Sequence, residues 1–106
     1  MKEIAIVYVL YGSREAAERA ATAMVEGRYA ACANVQSPCL SLYRWKGEAE
    51  RSEETPVIFK TSLARQGALM AEIAAAHDYE LPAISSWTAA TTDDYAEWVE
   101  AETAAA

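Results

Sequence analysis

Residues 30–62, AACANVQSPCLSLYRWKGEAERSEETPVIFKTS, read as two long strands folded back on one another through Lys46-Gly47. By the two-residue period of a strand, Leu40, Leu42 and Arg44 point one way in the first arm, and Ser41, Tyr43 and Trp45 the other. Gly47 supplies the positive φ that a tight hairpin turn needs. The returning arm opens with Glu48, Glu50, Arg51, Glu53 and Glu54 and closes on Val57-Ile58-Phe59. Its carboxylates are read as a guard on an edge strand. Two strands alone are marginal in water, and this ribbon is too long for so small a chain to cover. Its exposed half, with Tyr43 and Trp45 near the tip, is therefore expected to lie on another subunit.

Upstream of the ribbon, Glu3 to Leu10 (EIAIVYVL) is an apolar, β-branched run that predicts a strand buried on both faces. Tyr11-Gly12-Ser13 turns the chain, with Ser13 as N-cap and Glu15 in the first turn of a helix. That helix places Ala17, Ala20, Ala21, Met24 and Val25 on one face and stops near Gly27. Downstream, Thr61-Ser62 caps a second helix whose stripe is Leu63, Leu69, Met70 and Ile73, ending at His77. Residues 78–82 form a connector, because Pro82 bars Leu81 from helix. Ala83 to Trp87 predicts a short strand. Thr91 with Asp94 three residues on predicts a capping box for a last helix, with Tyr95, Trp98 and Val99 inward. Thr103 to Ala106 is expected to fray.

The order β-α-β-β-α-β-α predicts an α+β, ferredoxin-like sandwich with helices on one sheet face and a long β-hairpin, one domain over residues 1–106. The first strand is apolar on both faces, however, and Tyr43, Trp45 and Trp87 add more apolar surface than two helices can hide. Each fully buried large side chain stabilises by roughly 1.5–3 kcal/mol. An oligomer in which open sheet faces meet resolves the mismatch.

A formal charge of -7 in 106 residues excludes a phosphate-backbone binder, which needs a basic stripe. The apolar run at the N-terminus is too short to span a membrane and lacks a cleavage pattern, which predicts a cytoplasmic protein with no membrane or nucleic-acid partner. Cys32 and Cys39 form neither a CxxC nor a zinc spacing and read as reduced structural thiols.

His77 is the only histidine. It fits a metal or anion contact, or, more simply, a histidine favoured at a helix C-terminus. Cys32 fits a soft copper ligand beside it, or a small buried hydrophobe. Lys60 and Arg14 could each hold an anion near a helix N-terminus, or be solvated. The three tryptophans fit packing better than a ligand pocket. No Walker motif or nucleophile–base pairing is present in the sequence.

RYAACANV, LYRWKGEAE, FKTS, HDYELP and the closing YAEWV, in that order and spacing, resemble the CutA family of divalent-cation tolerance proteins over essentially the whole chain. The matching positions include Asn34, Tyr43, Trp45, Gly47, Lys60, Thr61, His77, Tyr79, Glu80 and Pro82. The resemblance implies a cytoplasmic homotrimer, assembled like the PII signalling proteins, that binds copper or another divalent cation and serves the response to metal ions. It carries over His77 as a metal-ligand candidate, to which Cys32 is added only on the softness of its thiol. Asn34, Lys60, Thr61, Tyr79 and Glu80 are ligand candidates for an inter-subunit cleft, and Tyr43, Trp45 and Trp87, on their apolar surface, are expected at the trimer interface. The family's proposed copper ligands resemble a cysteine ending the first strand and two adjacent histidines. Here Val9 and Ala76 stand at two of those places.

Three functions follow as expectations. The first is a trimeric cation-binding tolerance protein without enzymatic activity. The second is a non-metal scaffold or signalling trimer binding a small anion in its cleft. The third is an acylphosphatase-like enzyme using Arg14 and Asn34, disfavoured because YGSREA is a poor phosphate loop.

Overall fold

A computed structural model describes residues 1–104. It contains β1 (Lys2–Tyr11), α1 (Arg14–Glu26), β2 (Cys32–Val35), β3 (Cys39–Trp45), β4 (Glu48–Thr61), α2 (Gln66–Ala76), β5 (Ile84–Thr91) and α3 (Asp93–Thr103). The sheet runs β2-β4-β1-β5, all antiparallel, with β3 also paired to β4. This is the ferredoxin-like α+β arrangement the element order predicts.

The first arm of the ribbon is two strands, not one, because the chain leaves the sheet between Val35 and Cys39, where Pro38 has no amide to donate. β4 runs unbroken over 14 residues and carries both pieces. At the tip Lys46 (φ 50) and Gly47 (φ 83) both take positive φ, the two-residue turn that matches strand twist.

Register sorts the core. Ala5, Val7, Val9 and Tyr11 face α1 and α2, with Val57 and Phe59 alongside them on β4 and Ala33 and Val35 on β2. Ala17, Ala21 and Met24 of α1 and Leu69 and Ile73 of α2 close this side. The opposite face carries Ile4, Ile6, Tyr8 and Leu10, and here the expectation of helices on one face is corrected. α3 folds across one end of that second face, packing Ala96 and Val99 on Ile4 and Ile6. Beyond α3 the face stays open, with Trp87 49% exposed.

Several local expectations also change. The second helix begins with a 3-10 turn over Leu63–Arg65, and Ser62 makes no side-chain cap. Ser62 instead accepts a bond from the Thr103 hydroxyl at 3.1 Å, while Thr61 donates its own to Tyr29 O at 2.7 Å. Leu63 consequently lies outside the stripe, 47% exposed. β5 extends to Thr91, so the last helix starts one residue later, at N-cap Thr92, and the Thr91–Asp94 box does not form. Trp98 is 44% exposed and stacks on Tyr95 instead of entering the core. Thr103 is fully buried and does not fray. Ala105 and Ala106 lie outside the described residues.

Candidate functional site

Tyr43, Trp45, His77, Tyr79 and Glu80, five of the sequence-predicted residues, gather around one junction, where the hairpin, the end of β1 and the connector of residues 77–83 meet. Helix α2 stops at His77, whose backbone is extended (φ -73, ψ 142). The imidazole is fully buried. It stacks on Tyr11 at 4.6 Å between centroids and meets Tyr79 at 4.7 Å. Its Nε2 lies 2.8 Å from Leu10 O, which can only accept, so Nε2 carries the proton. Its Nδ1 accepts from the Tyr79 amide at 3.1 Å. Both ring nitrogens are thus committed, and His77 pins the connector to β1. A metal could bind it only by breaking one of those bonds.

Cys32 does not join it. Cys32 pairs with Lys60, which pairs with Ile6, four residues along β1 from Leu10. That offset is roughly 13 Å along the strand and about 10 Å across two strand spacings. Among the described residues no group of three or more His, Cys, Asp or Glu side chains could hold a metal ion. One copy of the chain therefore does not fit a copper ion.

What the junction does build is a cleft of about 720 Å³. Tyr43 and Trp45 of the hairpin wall one side, and Tyr79 and Glu80 of the connector the other. Glu50 and Glu54 of β4 also line it. Glu54 is 8% exposed, and its Oε2 accepts from the Tyr79 hydroxyl at 2.9 Å. Burial first, then the bond to Glu54, raises the Tyr79 hydroxyl's pKa well beyond the usual phenol range. Tyr11 is pushed up to about 12 by burial first, then by the Asp78 carboxylate. A raised phenol favours folding below its unfolded value of 10.0 and loses that contribution as the pH climbs through 10 to 12. Tyr11→Phe is expected to flatten the loss of stability over that window in alkaline denaturation. An unchanged slope would contradict it.

Sequence reasoning missed two residues here. In the sequence Glu54 reads as part of the edge-strand guard, although it shares a face with Tyr43 and Trp45 in the ladder. Gly12 was read only as a turn. A Cβ on Gly12 would stand 3.0 Å from the Tyr79 hydroxyl oxygen and 3.2 Å from its ring, so glycine admits the tyrosine. Gly12→Ala is expected to displace Tyr79 and lower stability by about 1–3 kcal/mol. A melting temperature equal to wild type would contradict that.

The other candidates lie elsewhere. Asn34 and Lys60 sit on the open sheet face, and Thr61 is fully buried on its bond to Tyr29. Arg14 pairs with Glu18 at 2.8 Å on α1, across the sheet from Asn34. The acylphosphatase pair is not assembled.

Sheet, hairpin and cleft define a ferredoxin-like α+β protein with an acidic, aromatic-walled cleft. Comparison with known proteins narrows the class. The family model described as "CutA1 divalent ion tolerance protein" matches residues 5–102, and this chain belongs to that family. A divalent-cation tolerance protein CutA of Thermus thermophilus is 33% identical over 104 residues, covering 97% of this chain and 99% of that protein. A chloroplastic CutA of Arabidopsis thaliana is 30% identical over 92% of this chain, which spans only 54% of that longer relative. Among solved structures, the divalent ion tolerance protein CutA1 of Ehrlichia chaffeensis superposes with a TM-score of 0.91 at 31% identity, covering 99% of both chains. A CutA of Archaeoglobus fulgidus, titled periplasmic, gives 0.89 at 27% identity, covering 96% of this chain and 99% of that one. The family is named for tolerance of divalent cations, not for a catalysed reaction. No helix among the described residues is long and apolar enough to cross a membrane.

Proposed function

We propose that this protein serves divalent-cation tolerance as a cytoplasmic homotrimer of single-domain subunits, without enzymatic activity. The observation that carries the assembly is the exposed apolar surface around the hairpin and the open sheet face. Leu40 (56%), Leu42 (69%), Tyr43 (45%) and Trp87 (49%) are all large and all exposed. Monomers rarely leave so many large apolar side chains wet. Copies meeting on this surface, with Trp45 and Trp87 buried between them, would remove it from water.

Copper or another divalent cation is then bound by ligands from more than one copy, since one chain gathers too few. Cys32, half-buried, is the thiol such a site would use; His77 would have to give up its bond to Leu10 or to Tyr79. Calorimetric titration of the intact protein with Cu²⁺ and Zn²⁺ near micromolar concentration tests this. Saturable uptake at a fixed ratio of metal to trimer supports it. Absence of uptake would sink the cation reading and leave the assembly standing.

The small-anion alternative gains little from the geometry. The cleft is lined by Glu50, Glu54 and Glu80 against a single cation, Arg44, whereas Lys60 and Asn34 lie on the open face.

A further inference from the structure

We propose that the groove between α1 and α2 is a binding site for a free α-amino acid with an aliphatic side chain. Ala16, Ala20 and Ala23 line it from α1, at the spacing that puts them on one ridge, and Ile73 and Ala76 line it from α2. Small side chains on facing ridges leave a hollow of about 240 Å³ where longer ones would interdigitate. Sites for drug-sized ligands run to about 300–1,000 Å³, so this one admits only a molecule of amino-acid size. The hollow lies on the helix-covered side of the sheet. Copies meeting on the open face leave it accessible, and it does not rest on metal binding.

Tyr11 distinguishes the groove from simple loose packing. It is 4% exposed and lines the hollow, yet its hydroxyl has no hydrogen-bond partner among the described residues, whereas that of Tyr79 donates to Glu54. A buried hydroxyl without a partner is costly, and a ligand carboxylate that accepts from it removes that cost. The neighbouring His77 cannot serve, because both of its nitrogens are already bonded.

The rim supplies one charge of each sign. Arg19 of α1 enters none of the ion pairs among the described residues, whereas its neighbour Arg14 is taken by Glu18. Asp78 stands 3.5 Å from His77 Nδ1, but that nitrogen accepts from the Tyr79 amide and carries no proton, so this carboxylate is unpaired too. An unpaired cation and an unpaired anion beside an apolar hollow match a zwitterion. The ligand carboxylate meets Arg19 and the Tyr11 hydroxyl, its ammonium meets Asp78, and its side chain lies against the alanines and Ile73. A fatty acid would face Asp78 uncompensated, and an amine would leave Arg19 and Tyr11 without an acceptor.

The test is calorimetric titration of the intact protein with L-leucine, N-acetyl-L-leucine and L-leucinamide. All three share the side chain, but the second lacks the ammonium and the third the carboxylate, as the two ends of a peptide do. Leucine is expected to bind saturably, and about tenfold more tightly than either. Tyr11→Phe keeps the ring that stacks on His77 and removes only the hydroxyl, which should weaken leucine about tenfold. Ala76→Leu, at an exposed position, fills the groove and should abolish leucine binding with the melting temperature kept. No saturable leucine binding, equal binding of either control, or affinity unchanged in both variants would overturn the proposal. Assembly and copper uptake are read in separate measurements, so this proposal and the tolerance reading fail independently.

Discussion

Phe59→Ala is expected to lower the free energy of unfolding by about 3–5 kcal/mol. Phe59 is fully buried at the middle of the sheet, opposite Val7 on β1 and Ala33 on β2. α1 and α2 close over it. Domains of this size are stable by about 5–15 kcal/mol in total, so the loss is about a fifth or more of the whole. Guanidinium denaturation should move the midpoint down at unchanged slope. A midpoint equal to wild type would show that the core is not organised around this ring.

Trp45→Ala should act on assembly rather than on the subunit. In one copy Trp45 is only half-buried beside the turn, opposite Glu48. Truncating it there removes little that the subunit's core needs. If a second copy completes its burial, a cost of about 3–5 kcal/mol falls on association, which weakens it by roughly two to three and a half orders of magnitude. Sedimentation over a dilution series should show dissociation at concentrations where wild type stays assembled, with far-UV circular dichroism retained. A variant that keeps both its mass on dilution and its melting temperature would remove Trp45 from the interface.

The fold was largely legible because its signals are local. Strand β1 is an uninterrupted apolar run, Ser13 is a good cap and its hydroxyl accepts from Ala16 at 3.1 Å, and Gly47 marks the turn. Element ends were less legible where long-range contacts decide them. Thr92, not Thr91, begins α3 because β5 stays paired with β1 through Thr91, opposite Lys2. Thr103 is held by Ser62, 41 residues away, and nothing near it in sequence signals that.

The candidate site was legible in part. Tyr43, Trp45, Tyr79 and Glu80 do converge, since a hairpin and a connector after α2 both end beside β1. His77 was found as a residue, but its role was not. Whether an imidazole is free or has both nitrogens bonded depends on Leu10 O and the Tyr79 amide, which no spacing encodes. Glu54 was hidden for the opposite reason. Glutamates in a charged run read as solvated, and only the fold of the connector over β4 buries this one.

We propose that further copies of the same chain cover the exposed hairpin and open sheet face. Native mass spectrometry of the metal-free protein tests it most directly. A species at three times the subunit mass that persists on dilution is expected. A monomer at the same concentrations would contradict it.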